Sequence, residues 1–226
     1  MNIILLGYGK MGKAIEQIAL QRNHQIVARI DKDNPQDLEQ CAGKEAVAIE
    51  FSQPEAAAEN IKQCLRLKIP VVSGTTGWLE QKTAIEKYCE AQQGAFFYAS
   101  NYSIGVNLFF QLNQYLAQLM QPYPNYAVDI IEVHHTEKKD APSGTAITLA
   151  EGIESIDPTK NDIPIESVRT GTVPGTHTIR YNSIIDTLEI THIAHNREGF
   201  ALGAVIAAEW LKDKKGCFGM KDMLKF

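Results

Sequence analysis

No C-x-x-C pair, no cysteine–histidine grouping at metal-ligand spacing and no apolar run near the roughly 20 residues of a membrane span occur in this 226-residue chain. The four cysteines, Cys41, Cys64, Cys89 and Cys217, therefore read as reduced, mostly buried thiols, and no metal centre is expected. A positive excess is missing too: 22 Lys+Arg stand against 27 Asp+Glu, a formal charge of −5. With a pI near 5.7, the chain lacks the basic stripe of a nucleic-acid protein. An anionic ligand must then be captured by a few placed cations rather than by the overall field. The first residues lack the basic stretch of a secretory leader, so the expected location is the cytoplasm, with no membrane partner. What is present, 44% hydrophobic residues, is enough to bury the core of one large domain or two modest ones.

Up to about residue 100, short apolar runs alternate with helical segments, the rhythm of a parallel sheet covered on both faces. Strands are predicted over 3–6, 25–30, 46–51, 70–73 and 95–98. Helices are predicted over 10–21, 55–67 and 79–92, with a brief helical segment near 35–41. After Asn101 the order changes. A long amphipathic helix over 104–120, a strand over 127–135 and a helix over 145–154 precede β-like segments at 163–168, 177–182 and 185–194, so a mixed or antiparallel sheet is expected there. A final helix over 200–212 closes the pattern. The expected organisation is a first domain of residues 1–102 plus about 203–226, with 103–202 inserted as an α+β mixed-sheet domain.

Gly7-Tyr8-Gly9-Lys10-Met11-Gly12 is a G-x-G-x-x-G run at the junction of the first strand and first helix. Glycines there permit a tight turn and let a pyrophosphate approach backbone N–H groups at the positive end of the helix dipole. Asp31 stands 19 residues beyond Gly12 at the end of the second strand, where a carboxylate can hold ribose hydroxyls. The fold class this defines is a Rossmann-like doubly wound sheet. The same run matches most of a phosphate-hydrolysing P-loop, but Ala14 follows Lys13 where a magnesium-binding hydroxyl is needed, so that reading is rejected. Lys32 can pair with the 2′-phosphate of NADPH or simply be solvated, and the choice between NADH and NADPH stays open.

Ligands of such sheets lie beyond the carboxyl ends of the strands. Two unusual segments fall there, Ser73-Gly74-Thr75-Thr76-Gly77-Trp78 after the fourth strand and Ala99-Ser100-Asn101-Tyr102-Ser103 after the fifth. Small residues let a flat ring approach closely, and Asn101 and Tyr102 can offer hydrogen bonds or a stacking face. The densest chemistry runs from Glu132 to Ala146. His134, His135 and Lys138 are acid–base or anion-binding candidates there, and Ser143-Gly144-Thr145 reads as a helix start whose free N–H groups can hold a carboxylate. No third ligand accompanies the two histidines, which disfavours a shared metal. His24, His177, His192 and His195 have no such company and are assigned no role.

The run His134-His135-x-x-Lys138-x-Asp140-Ala141-Pro142-Ser143-Gly144-Thr145-Ala146, with the glycine loop, Gly74-Thr75-Thr76-Gly77, Ala99–Tyr102 and the stretch from Thr191 to Ala204, resembles the 4-hydroxy-tetrahydrodipicolinate (dihydrodipicolinate) reductase family of lysine and diaminopimelate biosynthesis. It does so over essentially the whole chain. The resemblance implies His134 and Lys138 as proton donors, and His135, Gly144 and Thr145 as holders of a small dicarboxylate substrate. It implies cofactor contacts from Gly7, Tyr8, Gly9, Lys10, Met11, Gly12, Asp31, Lys32, Gly74, Thr75, Thr76, Ala99, Ser100, Asn101 and Tyr102. It further implies NADH or NADPH as cofactor and a homotetramer built by the inserted domain. A short-chain type of oxidoreductase would need Tyr-x-x-x-Lys, which none of the eight tyrosines provides. A semialdehyde-dehydrogenase type would need an activated cysteine, and neither Cys89 nor Cys217 has an evident activating setting. A non-catalytic NAD(H)-sensing module would explain the glycine loop but leave the segment around His134 without purpose.

Overall fold

A computed structural model describes residues 1–196 and 198–226. In chain order the elements are β1 (Asn2–Leu6), α1 (Lys10–Gln21), β2 (Gln25–Ile30), β3 (Ala46–Glu50), α2 (Pro54–Arg66), β4 (Val71–Ser73), α3 (Lys82–Ala91) and β5 (Ala95–Tyr98). Then come α4 (Ile104–Met120), β6 (Ala127–His134), α5 (Gly144–Glu154), β7 (Ile165–Arg169), β8 (Gly175–Asn182) and β9 (Thr187–Ala194). The chain ends in α6 (Glu198–Leu211), β10 (Gly216–Phe218) and α7 (Met220–Leu224). Short 3-10 turns occupy Pro35–Cys41 and Leu79–Gln81. The second of these splits the single helix expected over 79–92.

Two compact units result, Met1–Ser103 with Glu198–Phe226, and Ile104–Arg197. The chain re-enters the first unit at Glu198 rather than near 203, because α6 begins there and is one continuous helix. In the first unit six strands pair in the order β10-β5-β4-β3-β1-β2, every pair parallel. Ile3, Ile4, Leu5 and Leu6 are all buried, as a parallel strand covered on both faces requires. The strand β10 was not anticipated, since three residues, Gly216, Cys217 and Phe218, are too few to show a period. Helix α6 seats against the segment after β5 through Gly203, where a Cβ would lie 1.8 Å from the Tyr102 carbonyl oxygen.

The strand ends of this sheet are in register. Leu6 pairs with Ile30 and Glu50, Glu50 with Ser73, and Ser73 with Tyr98. One row of final strand residues therefore launches the four segments named above as cofactor candidates, and the loop after β3 between them. The order reverses between β1 and β3, which is where a ligand crevice forms in a doubly wound sheet.

The second unit is a four-stranded mixed sheet in the order β7-β6-β8-β9. Pair β6–β7 is parallel, while β6–β8 and β8–β9 are antiparallel. Its strands alternate. Along β6, Val128, Ile130, Glu132 and His134 are buried and the residues between them less so, so one face starts apolar and ends polar. The apolar end packs under α4 and α5 through Phe109, Leu116, Leu149 and Ile153.

Candidate active site

The glycine loop divides its work among three residues. Gly7 has φ +88, and a Cβ there would sit 2.1 Å from the Phe51 carbonyl oxygen. At Gly12 a Cβ would lie 2.3 Å from the Gly7 carbonyl oxygen, so the helix can pack this closely on the turn only without a side chain. Gly9, the N-cap of α1, faces open space and has no side-chain cap. That leaves the helix N-terminus available to an anion, so the loop fits the pyrophosphate of a dinucleotide. Lys10 is exposed, Met11 and Tyr8 are half-buried, and Tyr8 donates its hydroxyl to Glu16, which also pairs with Arg29. Asp31 and Lys32 are exposed beyond β2, and Gly7 N–H donates to the Ile30 carbonyl at 2.8 Å, which ties the acid's strand end to the loop.

The loops after β4 and β5 divide differently from expectation. Thr76 and Ser100 are exposed and Gly74 and Asn101 are half-buried, but Thr75, Ala99 and Tyr102 point inward. Tyr102 is 2% exposed and donates its hydroxyl to the Ser73 carbonyl at 2.7 Å. It offers no stacking face; it braces the loop from beneath, because its ring is shared with Phe51 and Phe97. The Asn101 side-chain oxygen accepts from Ser103 N–H at 2.9 Å.

In the second unit, strand alternation brings His134 and Glu132 to one face, and antiparallel pairing sets His177 opposite Glu132. The His134 and His177 rings meet edge-on with centroids 5.0 Å apart. Glu132 is fully buried and accepts from Ser143 N–H at 3.0 and 3.1 Å and from Arg169 at 2.8 Å. Burial alone would raise its pKa, but the Ser143 and Arg169 hydrogen bonds outweigh that and hold its carboxyl down at about 2. His134 Nδ1 lies 3.6 Å from Glu132 Oε2 and makes no hydrogen bond among the described residues. Burial lowers the His134 pKa, Glu132 opposes that, and the charges of Lys138 and Arg169 reinforce it. For His177, burial and then its neighbour His134 push the pKa down to about 4. Its Nε2 lies 3.2 Å from Ser143 Oγ.

Ser143 caps α5 by accepting from Ala146 N–H at 3.2 Å. Beyond the cap Gly144 is exposed, and a Cβ there would meet nothing within 4 Å. Thr145 and His135 are half-buried. The front of the helix start is thus open, while its back is tied to Glu132 and His177. Lys138, on the loop before this helix, places Nζ 2.8 Å from both carboxylate oxygens of Asp140.

Sequence reading missed Glu132, Arg169 and His177. His177 was dismissed for lack of neighbours in the sequence, yet its neighbours are supplied across strands. The available signal was the period-two run His177-Ile179-Tyr181 together with Glu132-His134, each an inward-facing series. Glu132, His134 and His177 also bring three ligand atoms within 4.8 Å of one another, but Arg169 and Ser143 already occupy the carboxylate.

A dinucleotide cradle on a doubly wound sheet, joined in sequence to a sheet unit carrying buried histidines, a lysine and an open helix start, defines an NAD(P)H-dependent oxidoreductase. The chain belongs to the dihydrodipicolinate reductase family. The model for that family's N-terminus matches residues 1–102, and the model for its C-terminus matches residues 105–224. The chain is 52% identical to the 4-hydroxy-tetrahydrodipicolinate reductase of Christiangramia forsetii, covering 99% of this chain and 98% of that one. It is 36% identical to the enzyme of the same name from Methanoregula boonei, over 80% and 75% of the two chains. Among solved structures, the dipicolinate-bound dihydrodipicolinate reductase of Paenisporosarcina sp. TG-14 superposes with a TM-score of 0.78 at 25% identity, covering 99% of both chains.

Proposed function

We propose that this chain reduces 4-hydroxy-tetrahydrodipicolinate to tetrahydrodipicolinate in lysine and diaminopimelate biosynthesis. The observation that carries this reading is the second unit's cluster: two buried histidines behind an open helix start, with Lys138 paired to Asp140 on the loop before it, in a chain of this family. A reduced nicotinamide, when bound, supplies the hydride. The glycine loop holds the pyrophosphate, Asp31 and Lys32 face the adenosine ribose, and the turns at Gly74 and Ser100 face the nicotinamide half. The N–H groups of Gly144 and Thr145, with His135, hold the substrate carboxylates.

Hydride addition leaves negative charge on the conjugated ring, and a nearby acid lowers that barrier by delivering a proton. His134 and Lys138 are the donors. Glu132 stabilises the protonated form of His134, because the Nδ1 proton has only a short shift to make to reach Oε2. Lys138 is held ready by Asp140 and leaves that exposed carboxylate when an anionic substrate competes for it. Hydride and proton are added and the 4-hydroxyl departs as water, which balances the conversion.

The same reading includes a homotetramer assembled through the mixed sheet. It is supported by the apolar residues Ile184, Ile185, Leu188 and Ile193, which are all exposed on or beside the edge strand β9. It also includes a cytoplasmic location; no helix among the described residues is long and apolar enough to cross a membrane. The test is oxidation of NADH or NADPH on adding freshly generated 4-hydroxy-tetrahydrodipicolinate. Turnover with at least one cofactor is expected, and absence of turnover with both overturns the reading in favour of a dinucleotide-sensing module.

A further inference from the structure

We propose that Glu50 is the positioning residue of the nicotinamide-side loop, fixing the Gly74–Thr76 turn against Phe51 and Ser52 so that the nicotinamide half of the cofactor, and not its adenosine half, is seated. The proposal rests on the cofactor reading given above.

Glu50 ends β3 at the crevice where the strand order reverses, in register with Leu6 on one side and Ser73 on the other. It is fully buried. Among the described residues no lysine, arginine or histidine forms an ion pair with it. A buried carboxylate without a cation is costly unless hydrogen bonds replace its water. Here they come from two loops. Ser73 Oγ donates to Oε2 at 2.6 Å, Thr75 Oγ1 to Oε1 at 2.9 Å, and Ser52 N–H to Oε1 at 3.0 Å, with the Ser52 hydroxyl on the same oxygen. Ser52 N–H also reaches Thr75 Oγ1 at 2.8 Å, so the two loops are bonded to each other as well as to the acid.

The main chain completes the clamp. Gly74 N–H donates to the Glu50 carbonyl at 2.9 Å, Trp78 Nε1 to the Thr75 carbonyl at 2.7 Å, and the Tyr102 hydroxyl to the Ser73 carbonyl at 2.7 Å. Ser73 and Thr75 thus have both side chain and carbonyl engaged inward, which leaves Thr76 on the outer side of the turn. Gly74 lies flat on Phe51, where a Cβ would come within 2.1 Å of the ring. An apolar side chain of the same size would fill the space without directional bonds and would not select this one loop conformation. The adenosine side is elsewhere: β2, which Asp31 directly follows, is two strands from β3, about 10 Å at ordinary strand spacing.

The experiment titrates the full chain with NADH and with ADP-ribose, which lacks the nicotinamide; if the wild type prefers NADPH, that cofactor and 2′-phospho-ADP-ribose replace them. Glu50→Gln keeps the shape but turns one acceptor into a donor facing other donors. It should raise the Kd for the reduced dinucleotide at least tenfold and leave that for ADP-ribose within twofold. Ser73→Ala removes one donor and should raise the first Kd at least threefold with the second unchanged; if Glu50→Gln does not fold, this variant decides by the same criterion. Equal weakening of both ligands, or no change in a folded variant, overturns the role of Glu50. A wild type that binds neither NADH nor NADPH overturns the cofactor reading itself, and the proposal with it.

Discussion

Glu50 and Glu132 are both completely buried acids near the end of a strand, one in each unit, and they differ in what surrounds them. Glu50 is met by hydroxyls and a backbone N–H, neutral donors that impose geometry without changing the charge state of a reacting group. Around Glu132 stand Arg169, His134 and His177, so the same carboxylate sets the proton balance of its neighbours. The difference teaches that a buried acid serves position in one unit and protonation in the other. Cofactor seating needs a fixed loop, while proton delivery needs a group whose charge can change.

The largest expected effect breaks the proton side alone. Lys138→Ala should lower kcat at least about a hundredfold, the lower range for loss of general acid catalysis. The Kd for NADH or NADPH should stay within twofold, as measured by single-turnover kinetics alongside cofactor titration. Retention of more than about a third of the wild-type kcat would return Lys138 to the status of a loop charge paired with Asp140.

A second prediction uses pH. The folded-state pKa of His177 is about 4, below the 6.5 of the unfolded chain, so between those values the unfolded chain binds more protons and folding stability falls as pH drops. A difference of that size corresponds to about 3 kcal/mol. Urea unfolding at pH 7.0 and 4.5, two arbitrary set points of about neutral and mildly acid solution, should show a smaller loss for His177→Asn than for the wild type. Equal losses would mean that His177 is not the group responsible. No comparable flattening in this window is expected from Glu132. Its carboxyl is depressed, so the stability it contributes is present above about 4.5 and is lost progressively as pH falls from there through about 2.

Much of this was legible in the sequence, and the limits have physical causes. The first unit's strands and α1 follow from continuous apolar runs and glycine punctuation, signals that are local. The histidine segment was legible because its chemistry is packed into a dozen residues. Glu132 and His177 were not assigned, since their partnership arises from antiparallel pairing across more than forty residues of chain. Tyr102 was misplaced for a related reason. An aromatic at a strand's carboxyl end looks available until Gly203 and Phe51 close over it. Lys138 was legible as part of the segment, but its ion pair with Asp140, two residues on, was not.

The smallest expected effect sharpens the cofactor side. Asp31 and Lys32 are both exposed, and an exposed charge contact is worth about 1 kcal/mol or less. Lys32→Ala should therefore reduce the ratio of kcat/KM for NADPH over NADH by no more than about tenfold. A shift of several hundredfold would place a buried 2′-phosphate contact at Lys32.

The contrast between the two acids is tested most directly by a paired binding measurement on Glu50→Gln and Glu132→Gln. NADH is titrated into each variant, and dipicolinate, a planar dicarboxylate, is titrated with the cofactor saturating. The account predicts a crossed result. Glu50→Gln weakens NADH at least tenfold and leaves dipicolinate within threefold, whereas Glu132→Gln, which unties Ser143 at the helix start, weakens dipicolinate and leaves NADH within threefold. Two folded variants that weaken both ligands to the same degree would contradict the division of labour between the two buried carboxylates.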